Sequence, residues 1–383
     1  MNQDLIVYDC TVVTGLERLA QKEIEQKLSS IERCEISCGH VVFETKNRFP
    51  IVSKLCSVDN IYVILYDQSG VDLRSKTLQC LETFLISLLD QCNWCRGIDV
   101  WKEAAHYDIE TVEGILDSKA KQNSLSFRVT CNRTGDHKFT SQEAASCFGG
   151  IINEKFRWQV SLKKFDLELL LTIKNDSIRI GICLTKETLH KRHIVSYGLT
   201  TLRGTIAFNL IQIADIQPGD IVCDPLCGTG VIPIECSINW QRTFFLAGDI
   251  NDIAVSKSET NFNANKLERV NLLRWDCKKL PLRNNSIDVF ITDLPFGRRM
   301  GSKQNNKKIY FEFLLEMARC SRTGIGRIVL LTQDKNNANQ TFKNPLMKRF
   351  FRFEKAFYVN MGGLDSSMYL LRRNIEMYSD DIR

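Results

Sequence analysis

Residues 221–230 read Ile-Val-Cys-Asp-Pro-Leu-Cys-Gly-Thr-Gly. A short apolar run ends on Asp224 and Pro225, and Gly228 and Gly230 then bracket Thr229 before a helical stretch at 231–239. Strand, glycine turn and helix in that order open a parallel sheet whose ligand site lies at the carboxyl ends of its strands. The small residues let the backbone pass close beneath a nucleoside, and the helix start presents unbonded amides to it. Val231 and Pro233 follow Gly230, so the G-x-G-x-x-G spacing of a dinucleotide site fails. Pro233 itself suits a first helical turn.

Further strands are expected at 244–248, 270–274, 287–292 and 328–332, and helices at 206–214, 252–267 and 309–321. Pro218 and Gly219 end the first of these helices. This alternation predicts an α/β domain with a doubly wound parallel sheet, closed at one edge by an antiparallel pair, 351–359 with 368–371. Four strands each deliver an acid at the carboxyl end: Asp224, Asp249, Asp276 and Asp293. One such aspartate is as readily a helix cap or turn residue. Four in register argue for a site, with Asp249 placed for two ribose hydroxyls and Asp276-Cys277 for an adenine amino group.

The fourth strand runs into Asp293-Leu294-Pro295-Phe296-Gly297. An acid, a main-chain carbonyl held by a proline and an aromatic face suit methylation of a planar amino nitrogen. Its lone pair is conjugated into the ring, so the site must grip the NH2 through the Asp293 carboxylate and Leu294 carbonyl while Phe296 stacks on the ring. Just beyond lie Arg298, Arg299, Lys303, Lys307 and Lys308, a basic loop suited to phosphate. Lys191, Arg192 and His193 form a second basic knot.

The front half reads as two α+β modules. The first has strands at 5–10, 41–44 and 61–66 around a helix at 14–28 with Leu16, Leu19, Ala20 and Ile24 at helical spacing. The second begins near residue 70 with a helix at 75–92, followed by a strand at 125–131, a turn at 132–135 and a helix at 141–156. A hairpin, 167–174 with 177–183 around Asn175-Asp176, ends it. Arg128, Arg133 and Lys138 surround the strand-to-helix turn, where helix amides also receive phosphate.

With 383 residues, 44 % hydrophobic and 25 % charged, the chain is expected to be globular protein of two or three domains. No apolar run has the length of a membrane span, and residues 1–10 lack a signal peptide's basic head and apolar stretch, so a cytoplasmic protein is expected, with the nucleus left open. The formal charge of +6 is compatible with a polyanionic partner. Fifteen scattered cysteines in such a chain are read as reduced thiols. Cys92-x-x-Cys95 lacks a second tight pair, and Cys34, Cys38 and His40 are loosely spaced, so no metal site is expected.

Taken together, Asp224-Pro-Leu-Cys-Gly-Thr-Gly, Asp249, Asp276 and Asp293-Leu-Pro-Phe resemble the class I S-adenosylmethionine-dependent methyltransferases that modify amino groups. Phe127-Arg-Val-Thr-Cys-Asn-Arg, Phe148-Gly-Gly and Ile180-Gly-Ile-Cys-Leu-Thr resemble a THUMP domain, an RNA-binding module. With Arg203, Thr205 and the stretch from Asp293 to Lys303, nearly the whole chain resembles the THUMP-containing tRNA guanine N2-methyltransferases. The commonest amino-methylation motif has two prolines where this chain has Leu294 and Pro295, which loosens the turn slightly and leaves the carbonyl contact intact.

The resemblance implies a Rossmann-like class I methyltransferase domain at 189–383, behind a ferredoxin-like domain at 1–70 and a THUMP domain at 71–188. It implies methylation of a guanosine N2 in the tRNA acceptor stem, near position 6, with S-adenosyl-L-methionine as donor and S-adenosyl-L-homocysteine as product. The alternatives are a spliceosomal small nuclear RNA substrate, or a catalytically silent RNA-binding protein that keeps the fold. Asp293, Leu294, Pro295 and Phe296 are the implied catalytic residues. Asp224, Cys227, Gly228, Thr229, Gly230, Asp249, Asn251, Asp276, Cys277 and Thr205 are the implied cofactor contacts. Arg128, Arg133, Lys138, Lys191, Arg192, Arg298, Arg299 and Lys303 are the implied RNA contacts. The family also implies a small zinc-ribbon activator subunit forming a heterodimer. Gly362-Gly-Leu-Asp-Ser-Ser367 resembles the pyrophosphate loop of THUMP-containing RNA thiolation enzymes, but that loop must open an α/β domain, so a hairpin turn is expected.

Overall fold

The computed structural model describes residues 5–117, 125–295 and 303–378. Two compact units divide the chain: Met1–Thr11 with Gln21–Thr188, and Val12–Ala20 with Leu189–Arg383.

The first unit opens with β1 (Ile6–Thr11), the part of α1 (Glu17–Lys27) from Gln21 on, β2 (Ile31–Ser37), β3 (His40–Thr45), α2 (Phe49–Val52) and β4 (Asn60–Ser69). It continues with α3 (Leu78–Leu88), α4 (Trp94–Ala105), α5 (Val112–Leu116), β5 (Ser126–Arg133), α6 (Ser141–Phe156), β6 (Gln159–Val160), β7 (Leu167–Lys174) and β8 (Ser177–Cys183). Its eight strands form one sheet in the order β2-β3-β1-β4-β8-β7-β5-β6. β4 pairs antiparallel with β8, Tyr62 opposite Cys183, so both modules read from the sequence share a single sheet. The helix expected at 75–92 is the shorter α3, and α4 after it was not anticipated. Asn93 starts α4, its side chain accepting the Arg96 amide as the helix cap. β2 escaped the sequence reading because it is an edge strand with little buried surface and therefore carries no apolar period.

The second unit contains α7 (Gly204–Ala214), β9 (Ile221–Asp224), α8 (Val231–Asn239), β10 (Phe244–Asp249), α9 (Asp252–Ala264), β11 (Val270–Arg274), β12 (Val289–Asp293) and α10 (Lys303–Cys320). β13 (Arg327–Thr332), α11 (Lys335–Lys343), α12 (Pro345–Phe350), β14 (Phe351–Asn360) and β15 (Asp365–Arg373) complete it. The strand order is β11-β10-β9-β12-β13-β15-β14. Neighbours from β11 to β13 run parallel, and β15 is antiparallel to both β13 and β14. Alternate residues feed two cores: Val222, Val289, Ile291 and Val329 face one, with α7 and α8, while Cys223, Phe290, Ile328 and Leu330 face the other, with α10. Burial on both faces explains the unbroken apolar runs.

β14 and β15 form the anticipated edge hairpin, with Asn360 opposite Asp365. Gly362 and Gly363 take φ +66° and +87° in its turn, and Asn360 Oδ1 accepts the Gly363 amide (2.7 Å). Among the described residues no helix is long and apolar enough to cross a membrane.

Candidate active site

The direction of strand succession reverses between β9 and β12, the switch point at which such sheets bind ligands. Asp224 ends β9 and is buried. Its Oδ1 accepts the Thr292 hydroxyl (2.8 Å) and the Leu226 amide (3.2 Å). Burial pushes its carboxyl up to about 7, against the pull of those two hydrogen bonds.

Asp249, at the end of β10, ties down the glycine turn. Its Oδ2 accepts the Gly228 amide (3.1 Å) and its Oδ1 the Asn251 amide (3.0 Å), leaving each oxygen a further lone pair for a hydroxyl. Asn251 also caps α9, its Oδ1 accepting the Ile253 amide (2.9 Å). Gly228 and Gly230 have φ +55° and +82°. A Cβ on Gly230 would run into the Phe262 ring and Ser258, whereas open space lies beyond Gly228. The turn is thus packed below and open above, a cradle that fits a nucleoside.

Two polar residues of α9 that sequence reasoning passed over hold this turn from behind. Ser258 Oγ donates to the Gly228 carbonyl (2.8 Å), and buried Asn261 donates to the carbonyls of Thr229 (2.9 Å) and Ser196 (3.0 Å). Their spacing, three residues apart on one helical face, was the available signal. Thr229 Oγ1 lies 3.4 Å from Thr201 Oγ1, and Thr205 is buried in the first turn of α7. Cys227 is buried, its Sγ 3.7 Å from Ser258 Oγ. Asp276 turns back to accept the Lys278 amide (2.9 Å), and burial raises the Cys277 thiol to about 12, which makes it a packing group rather than a nucleophile.

Asp293 ends β12, adjacent to β9. Its Oδ1 is shut off from solvent and has no hydrogen-bond partner among the described residues. Burial holds its carboxyl well above the usual range, and the nearby Asp224 carboxyl adds to the effect. An enclosed acceptor without a partner among the described residues is costly, and a donor brought by a ligand would satisfy it. Leu294 is buried and its amide donates to the Leu331 carbonyl (2.9 Å). Phe296, Arg298 and Arg299 lie outside the described residues, and Lys303 is the first residue of α10.

The remaining basic residues differ in availability. Lys138 and Lys191 are exposed. Arg128 pairs with Glu168 (2.8 Å) and lies over the Phe165 ring, 4.1 Å from its centre. Arg133 donates to the Gly135 carbonyl (2.9 Å). Arg192 forks onto both oxygens of buried Glu235 (2.9 Å each), so its charge is compensated inside the unit.

Residues 192–366 match the RMKL-like methyltransferase domain, and residues 109–182 match the THUMP domain. The tRNA (guanine(6)-N(2))-methyltransferase THUMP3 of Bos taurus is 31 % identical, over 97 % of this chain and 89 % of its own. The U6 snRNA (guanine-N(2))-methyltransferase THUMPD2 of Mus musculus is 26 % identical, over 85 % of this chain and 74 % of its own. The crystal structure of TrmN from Thermus thermophilus shares the fold with a TM-score of 0.78, covering 96 % of this chain and 99 % of that one, at 22 % identity.

Proposed function

Because the chain belongs to the family of THUMP-containing methyltransferases that includes these guanine N2-methyltransferases, we propose that it methylates the N2 of a guanosine in the acceptor stem of tRNA, near position 6. The observation that carries this reading is Asp293 Oδ1, enclosed and without a partner among the described residues, on the strand next to the one that leads into the glycine cradle. S-adenosyl-L-methionine, when bound, supplies an electrophilic methyl on a sulfonium and departs as S-adenosyl-L-homocysteine. Gly228, Gly230 and Asp249 would hold its nucleoside, with Asp276 and Cys277 toward the adenine.

The protein's part is positioning and charge. Asp293 and the Leu294 carbonyl accept the two amino hydrogens of the guanine, which turns the nitrogen lone pair toward the methyl. As the N–C bond forms, Asp293 stabilises the positive charge growing on nitrogen, and one N–H proton leaves to solvent. No strong base is required, because the methylated amine is acidic. Phe296 replaces the stacking a paired guanine loses on leaving its helix, and Arg298, Arg299 and Lys303 take flanking phosphates.

In this reading residues 1–70 are a ferredoxin-like domain, 71–188 the THUMP domain that captures the tRNA through Arg128, Arg133, Lys138 and Lys191, and 189–383 the methyltransferase. Cytoplasmic residence goes with a tRNA substrate. A zinc-ribbon activator subunit completes a heterodimer by adding a strand to the methyltransferase sheet. Exposed Leu273 on edge strand β11 and Phe353 on edge strand β14 support such an addition. Full activity of the purified lone chain would refute that partner.

The deciding experiment is nucleoside mass spectrometry of tRNA from cells lacking the protein, rescued by wild type or Asp293→Ala. Loss of N2-methylguanosine, restored by wild type alone, is expected. Loss confined to small nuclear RNA would move the substrate to the class that THUMPD2 acts on. No saturable uptake of S-adenosylmethionine would identify a silent scaffold.

A further inference from the structure

Leu294 and Pro295 are the described residues of the turn that follows β12. The Leu294 amide donates to Leu331, and Pro295 has no N–H to give. The Pro295 carbonyl accepts the hydroxyl of Tyr310 instead (2.8 Å). Tyr310 projects from α10 into the core beside Phe313 and Leu330, with 1 % of its surface exposed. Its hydroxyl also lies 2.9 Å from Thr332 Oγ1 at the end of β13, and Thr332 Oγ1 accepts the Asp334 amide (2.9 Å).

The proton order is fixed by the two ends of this series. A carbonyl only accepts, so Tyr310 donates to Pro295 and must itself accept from Thr332. Thr332 gives its single proton to Tyr310 and keeps lone pairs for Asp334 N–H. The hydrogen bonds therefore run one way, from Asp334 through Thr332 and Tyr310 to Pro295, in a buried setting where aligned bonds reinforce each other. A buried tyrosine needs one partner, and Thr332 alone provides it. The second bond, to the Pro295 carbonyl, ties the main chain two residues after Asp293.

We propose that Tyr310, seated by Thr332, is the positioning residue that, by holding the Pro295 carbonyl one peptide further on, sets the pitch of the Leu294–Pro295 peptide across the fixed proline ring and so aims the Leu294 carbonyl and the Asp293 carboxyl at the target amine. The inference rests on the reading of this turn as the amine clamp. A small rotation of the peptide swings the Leu294 carbonyl off the amino hydrogen, and misplacement of about 1 Å costs about a hundredfold in rate.

The test uses the full chain in the assembly that carries its activity, with Tyr310→Phe, Thr332→Val, Thr332→Ser and Asp293→Ala. Tyr310→Phe and Thr332→Val should each lower kcat by about ten- to a hundredfold while KM for tRNA and the Kd for S-adenosylmethionine stay within about twofold. Thr332→Ser, which keeps the hydroxyl, should restore kcat, and the Phe/Val double variant should be no worse than the poorer single one. Amide exchange at Leu294 should accelerate in Tyr310→Phe and Thr332→Val and not in Thr332→Ser. Wild-type kcat or unaltered Leu294 exchange in Tyr310→Phe, with Asp293→Ala inactive, overturns the positioning role and leaves the clamp standing. Wild-type kcat in Asp293→Ala removes the clamp and this inference with it. A Thr332→Ser variant as slow as Thr332→Val overturns it too.

Discussion

Thr292 donates its hydroxyl to Asp224 across 2.8 Å, joining the ends of β12 and β9 one residue before Asp293. The carboxyl it meets is buried, and burial moves it from an ordinary 3.8 to about 7. Over that interval the folded protein keeps a proton that the unfolded chain releases, so this group's contribution to stability falls as pH rises from about 4 to about 7 and then levels. Asp224→Asn has no proton to lose. Chemical denaturation of wild type and variant should therefore show the stability difference shifting toward the variant by about 2–3 kcal/mol between about pH 5 and about pH 8. A difference that does not move with pH would mean that Asp224 is already ionised in the acidic sample.

Asp293 has a raised carboxyl for the same physical reason, with Asp224 as the neighbouring charge. As a hydrogen-bond acceptor it works best ionised, so single-turnover rates should climb with pH as its proton leaves. Asp293→Ala should reduce the rate by about 100- to 1000-fold, the scale for losing a preorganised polar group at a reacting centre. Asp293→Asn keeps a carbonyl oxygen, should fall less, and should lose the pH dependence tied to this residue. Equal rates for Ala and Asn would show that the oxygen is not used.

The two glycines of the cradle separate stability from binding. At Gly230 an alanine meets both a φ of +82° and the Phe262 ring, so Gly230→Ala should destabilise by more than the roughly 1–2 kcal/mol of a left-handed residue alone. Gly228 has φ +55° and open space around it, so Gly228→Ala should cost only about 1 kcal/mol. Its methyl, however, projects where the nucleoside would lie. Thermal denaturation and calorimetric titration with S-adenosylmethionine should therefore rank the variants in opposite orders. The same ranking in both would place the ligand elsewhere.

The parallel sheet was legible because β9, β12 and β13 are buried on both faces and so read as unbroken apolar runs, the first two closed by acids. The acids of the candidate site were visible for the same reason: strand ends are easy to locate, and a charge there stands out. What supports them was not. Ser258, Asn261, Thr332 and Tyr310 sit one layer behind, reached only by folding a helix or neighbouring strand onto the site. α11 was missed because Lys-Asn-Asn-Ala-Asn-Gln-Thr-Phe-Lys has almost no apolar face; its start rests on Asp334, whose side chain accepts the Asn337 amide. Charge alone did not separate neighbours either: Lys191 and Arg192 look equivalent in sequence and have different surroundings in the fold.

That difference is measurable. Arg192 compensates Glu235, which is 1 % exposed, through two hydrogen bonds of 2.9 Å. Removing one partner strands a buried charge, so Arg192→Ala should destabilise by about 3–5 kcal/mol. Replacing both partners with apolar residues of similar size, Arg192→Met with Glu235→Leu, should recover most of that loss. Lys191 is exposed, and Lys191→Ala should leave stability within about 0.5 kcal/mol of wild type. If Lys191 touches phosphate, its loss should weaken tRNA binding and make the slope of log affinity against log salt shallower by about one. Binding isotherms at several salt concentrations, read beside denaturation curves, separate the two roles. An Arg192→Ala protein of normal stability with a shallower salt slope would instead put Arg192 on the RNA.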